Sequence, residues 1–77
     1  MPEELIPFFS ELYNKHLERN SRFSLYYSSD SIKKAEEMRT LEFLEDSGYI
    51  ILSGKTTGFC HIEFTQYGID YAESLNL

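Results

Sequence analysis

Cysteine is nearly absent from this chain: Cys60 stands alone among 77 residues. One thiol excludes an intramolecular disulfide and a four-thiolate zinc site. Its place inside a β-branched and aromatic run marks it as a small buried apolar residue rather than a reactive one. Tryptophan is missing, and with two prolines and four glycines the chain has few points at which its elements must break. Basic residues are also scarce, seven against thirteen carboxylates, for a net charge of −6. A general phosphate binder is normally basic, because it gains affinity by releasing counterions. No apolar run approaches the ~20 residues needed to span a bilayer, so no membrane partner is expected. Met1 to Phe9 carries two glutamates, two prolines and no basic residue. No signal peptide is expected from it, and the expected compartment is the cytoplasm.

What the chain does have is aromatic and apolar weight. It is 42% hydrophobic, with six phenylalanines and six tyrosines, a composition that disordered segments lack. At this length it builds one core, so residues 1–77 are read as a single domain. Charge is unevenly spread along it. Between Lys15 and Arg39 six basic residues face four carboxylates, leaving +2, whereas the remainder sets Lys55 against nine carboxylates, leaving −8.

Ile6, Phe9, Tyr13, His16 and Leu17 recur at helical spacing, and Phe8 and Leu12 widen the stripe. Pro7 is tolerable only in a first turn, so the helix starts near it and ends near Arg19 or Asn20. From Asn20 to Ser31 the alternation of Phe23, Leu25 and Tyr27 competes with serines and Asp30, which predicts a short strand or a single helical turn. Asp30 or Ser31 then caps a long helix that has no Gly or Pro before Gly48. At ~100° per residue, Met38, Leu41 and Leu44 share one side of it. Ile32, Arg39 and Phe43 fall roughly opposite. Such a helix is either sandwiched in the core or presents Phe43 and Ile32 to a partner.

Tyr49–Ser53 and Phe59–Phe64 flank a five-residue loop and read as a hairpin. If Ile50, Leu52, Cys60, Ile62 and Phe64 share one face, the other carries Tyr49, Ile51, Phe59 and His61. That face is too apolar for an ordinary solvated surface, and either binds something or is covered by the N-terminal segment. Thr65 is placed to cap a final helix through Leu75, which Gly68 weakens.

The segments LEFLEDSGYI (Leu41–Ile50) and IEFTQYG (Ile62–Gly68) resemble the end of the third helix, the first wing strand, and the passage from second wing strand into the following helix of the winged helix-turn-helix superfamily. The likeness is to small stand-alone MarR-like and PadR-like winged-helix proteins of bacteria or phage, and spans about Ile32 to Leu75. It implies an α+β winged helix: helix 1, a short irregular strand or turn segment, a long helix, a two-stranded wing hairpin and a C-terminal helix. It also implies DNA binding in transcription regulation, as a homodimer. One departure stands out. A helix-turn-helix needs two helices ahead of the glycine, yet here one unbroken helix leaves only Asn20 to Asp30 for its partner, and Glu36 and Glu37 occupy the half that would approach a major groove.

If double-stranded DNA is the partner, Arg22, Lys33, Lys34 and Arg39 are the expected phosphate contacts around the long helix, with Lys55 and Thr56 at the wing tip. Each has an equally ordinary role, the lysines and arginines on a solvated face and the threonine in a turn. The rival reading is an acidic protein-interaction or self-association module, using Phe43, Tyr49, Ile51 and Phe59, with its acidity keeping it off nucleic acid or imitating it. His16 reads as a hydrogen-bonded boundary residue. His61 and Cys60, adjacent on a strand, point to opposite faces, so no metal site is expected. No phosphate-cradling glycine loop, nucleophile elbow or His-x-x-x-His pair is present. No enzyme, cofactor or small-molecule ligand is expected.

Overall fold

The computed structural model describes all of Met1–Leu77. A 3₁₀ turn, Glu3–Leu5, runs into helix α1, Ile6–Arg19, with Pro7 in its first turn, where the missing N–H costs nothing. Asn20 ends α1 in the left-handed conformation at φ 55°, its N–H bonded to the His16 carbonyl at 2.7 Å. The ambiguous stretch resolves into strand β1, Phe23–Tyr26. Helix α2, Ser31–Asp46, begins at Asp30, whose Oδ1 accepts the Ile32 N–H at 3.0 Å. Gly48, at φ +86°, turns the chain into β2, Ile50–Ser53. Strand β3, Phe59–Phe64, follows, and α3, Gln66–Ser74, closes the chain. No helix is long and apolar enough to cross a membrane.

The fold is α+β: three helices and one antiparallel sheet in the order β1-β3-β2. Register pairs Ile50 with Phe64, Leu52 with Ile62, Phe23 with Ile62 and Leu25 with Cys60. Because side chains alternate along each strand, this aligns all of these residues on the face that the helices cover. Phe9, Leu12 and Tyr13 of α1, Leu41 and Leu44 of α2, and Ala72 of α3 join them in one buried cluster. Phe9 is its hub, with ring centroids 5.4 Å from Phe64, 5.6 Å from Tyr49 and 5.8 Å from Tyr71, the separations at which tilted aromatic pairs gain beyond their area.

Three expectations change. Helix α2 is not sandwiched: it buries Leu41 and Leu44, while Ile32 is 70% and Phe43 39% exposed. Tyr49 is not on the outer sheet face. It precedes β2 and lies in the core between Phe9, Tyr67 and Tyr71, so it is withdrawn from the candidate partner contacts. Gly68 is not a weakness of α3 but a condition of its docking. A methyl there would overlap the Tyr49 carbonyl oxygen and come within 3.0 Å of its carbon.

That close approach is held by Thr65. Its N–H donates to the Tyr49 carbonyl at 3.1 Å, its hydroxyl donates to the Gly48 carbonyl at 2.6 Å, and its Oγ1 accepts the Gly68 N–H at 3.0 Å. Replacing Gly68→Ala in an exposed helix would add about 1 kcal/mol of stability. Here the sign reverses, and overpacking against backbone is expected to cost ~2–3 kcal/mol in urea unfolding. A variant as stable as the parent would show that α3 does not sit this close.

Candidate functional site

The residues singled out for DNA fall in separate places: Lys34, Lys55 and Thr56 lie about the hairpin loop and Tyr27, and Arg22, Lys33 and Arg39 lie apart from them. Lys34 is committed within the chain: its ammonium donates to the Thr57 carbonyl and lies 5.5 Å from the centroid of the Tyr27 ring. Thr56 is committed too, its Oγ1 accepting the N–H groups of Gly58 (3.2 Å) and Phe59 (3.1 Å) within the hairpin loop. Lys55 lines a narrow cleft with Tyr27, Met38, Leu41, Glu42 and Leu52. Lys33 lines an open groove between the chain start and α2, where Glu4, Glu36 and Glu37 outnumber it. Arg39 is simply exposed.

Arg22 has different company. With Lys15 and Arg19 it lines a concavity of about 290 Å³ formed by the last turns of α1 and by Phe23, Ser24 and Tyr26 of β1. Lys15 and Arg19 are one helical turn apart, so they share a side of α1. The left-handed turn at Asn20 brings the chain back so that Arg22 joins them. Glu18 is the single carboxylate in the lining. Three cations against one anion make this a positive spot on a chain of net charge −6. Reading the sequence for a recognition helix missed Lys15 and Arg19, although their four-residue spacing and Arg22 three positions on were the available signal.

The outer face of the sheet is open. The N-terminal segment does not cover it, since Glu3–Leu5 packs against α1 and Met1 against the core. Tyr26 is 73% and Ile51 49% exposed. Tyr26 lies 5.5 Å from Phe59, and Phe59 lies 5.5 Å edge-on from His61. His61 Nδ1 is hydrogen-bonded to the Ser24 hydroxyl at 2.9 Å. Phe59 and Ile51 are therefore where the pattern placed them, and Tyr26, assigned to no face beforehand, extends the aromatic row onto β1. Cys60 is buried on the opposite face. His16 packs its ring on Phe64, and its buried Nδ1 has no hydrogen-bond partner, unlike the bonded boundary residue expected of it.

The two edges of the sheet differ. On β2, Glu45 of α2 reaches across and accepts the Leu52 N–H at 2.8 Å. On β1, no side chain or backbone of the chain takes up the outward groups.

Neither a protein-family model, a curated protein nor a solved structure matches the chain. The surface itself offers an acidic body, an apolar outer layer on α2 and the sheet, and a basic recess beside the free edge of β1.

Behind that surface, burial pushes the Tyr27 hydroxyl from its ordinary 10.0 up to about 12, helped by the neighbouring Cys60 thiol and the carboxylates of Glu37 and Glu42. The folded chain keeps this proton over a range in which the unfolded chain has released it. The linked stability is thus complete below pH 10 and lost as pH rises from 10 toward 12. Tyr49, also raised by burial and then by Tyr67, adds in the same direction. Urea unfolding followed across this window should show a shallower loss in Tyr27→Phe than in the parent. Equal slopes would assign the loss to other groups.

Proposed function

We propose that the chain is a small winged-helix-type module that binds protein rather than reading double-stranded DNA. The winged-helix part is supported by the order of elements. A hairpin follows directly on a long helix, is joined on its β3 side by the strand after the first helix, and runs into a terminal helix capped by Thr65.

One observation carries the functional part. Helix α2 is the element available to enter a major groove, and its solvent side offers Ile32, Met38 and Phe43 among the exposed carboxylates Glu36, Glu42 and Asp46. Arg39 is exposed on the same side as Ile32 and Phe43 and is outnumbered by these carboxylates, while Lys34 is spent on Thr57. A groove-binding helix needs donors aimed at phosphates and base edges, and a carboxylate row repels them. Exposed apolar residues rimmed by charge suit a protein surface. The recess of Lys15, Arg19 and Arg22 favours a second reading, contact with a phosphate backbone through α1 and β1.

Titration with mixed duplex DNA at ~50 mM and ~200 mM salt separates the two. The protein-binding reading expects no association at the lower salt, and binding that weakens steeply with salt would overturn it. In parallel, Ile32→Lys and Phe43→Lys should each change unfolding free energy by less than ~0.5 kcal/mol, as surface positions do. A cost above ~2 kcal/mol would place them in the core and leave α2 without an apolar surface for a partner.

A further inference from the structure

We propose that β1 accepts a fourth strand: an extended acidic peptide of a partner protein that pairs with its free edge and sets alternate carboxylates against Lys15, Arg19 and Arg22. This rests on the protein-binding reading and names the class of partner.

The edge is open in a definite register. Tyr27 N–H bonds to the Gly58 carbonyl at 3.0 Å, continuing the pairing of Leu25 with Cys60 and Phe23 with Ile62. Antiparallel alternation then turns the N–H and C=O groups of Ser24 and Tyr26 away from β3. Nothing in the chain takes them up. The contrast with β2 is informative, because there Glu45 occupies the corresponding outward donor of Leu52. Folded sheets ordinarily blunt such edges with proline, a bulge or a covering element. β1 has none of these and pairs with β3 in unbroken register; its four-residue length is what limits pairing at this edge.

The basic recess lies along this same edge, lined jointly by α1 and by Phe23, Ser24 and Tyr26. An added strand would place every second side chain on the α1 side, beside Lys15 and Arg19, and the others on the outer face beside Tyr26. Acidic residues suit the first set and apolar ones the second. A nucleic acid would satisfy the cations but has no amide ladder to offer Ser24 and Tyr26. A second copy of this chain pairing β1 with β1 would set the two basic recesses against each other.

The test uses the full chain, labelled with ¹⁵N, and an acetylated and amidated octapeptide of alternating glutamate and valine. The peptide should bind saturably, slow amide hydrogen exchange at Ser24 and Tyr26, and weaken as salt is raised. The same octapeptide with glutamine for glutamate should bind about tenfold more weakly, as should the parent peptide to an Arg19→Glu, Arg22→Glu variant. If that variant does not fold, Tyr26→Pro, which removes one outward donor and leaves the β3 pairing intact, takes its place. Absence of binding at about 1 mM peptide, protection confined to other residues, or stronger occupation of the same edge by a single-stranded oligonucleotide would overturn the proposal. Failure here with no duplex binding in the salt titration removes this partner class alone, whereas duplex binding removes the protein-binding reading itself.

Discussion

The docking of α3 against the start of β2 is the constraint on which the rest of the molecule depends. A helix backbone can approach another peptide unit this closely only where a side chain is missing, and Gly68 provides that vacancy against Tyr49. Thr65 then joins three points, its side chain capping α3 and bonding the Gly48 carbonyl and its backbone N–H bonding the Tyr49 carbonyl. With Tyr49 so held, its ring is driven into the cluster of Phe9, Tyr67 and Tyr71, and Ile50 starts β2 in the register that buries it opposite Phe64. A slip of one residue there would turn Ile50 and Leu52 outward and Ile51 inward.

From that anchor the asymmetry of the sheet follows. All three helices lie on the face built by Phe23, Leu25, Ile50, Cys60, Ile62 and Phe64, which leaves the other face without cover. Helix α2, joined to β2 through Gly48, runs along the β2 side, and its Glu45 takes up the outward N–H of Leu52 there. Helix α1 reaches the β1 side only with its C-terminal turns, so there the chain leaves a recess instead of a lid. Arg19, in the last turn of α1, also suits the carbonyl end of that helix, so this cation serves both the helix and the surface.

This distribution bears on how an acidic protein of this size interacts. Its long helix carries carboxylates and apolar groups outward, and its seven cations are dispersed: Lys34 and Lys55 at the hairpin loop, Lys33 in an acidic groove, Arg39 exposed on α2, and three beside β1. Net charge of one sign with a localised patch of the other steers encounter and fixes orientation more than it adds affinity. On the proposed protein-binding reading, the recess and the α2 surface would be complementary determinants, one electrostatic and one apolar, on a scaffold too small to hide either.

The sequence by itself determined the elements. Pro7 and Asn20 bound α1, Asp30 and Gly48 bound α2, the five residues after Ser53 made the hairpin, and Thr65 opened α3, because caps, turns and periodicity act over a few residues and are legible in one dimension. It also foresaw that Ile50, Leu52, Cys60, Ile62 and Phe64 face inward, since alternation is a local property. It put Tyr49 on the wrong side, because Tyr49 precedes the strand and does not follow its alternation. Tertiary structure alone decided the rest. Whether Ile32 and Phe43 are covered, whether Lys34 is free or bonded to Thr57, why Gly68 is a glycine, and that Lys15, Arg19 and Arg22 meet β1 all depend on distances between elements far apart in the chain. Those distances are set by packing, which no window of neighbouring residues contains.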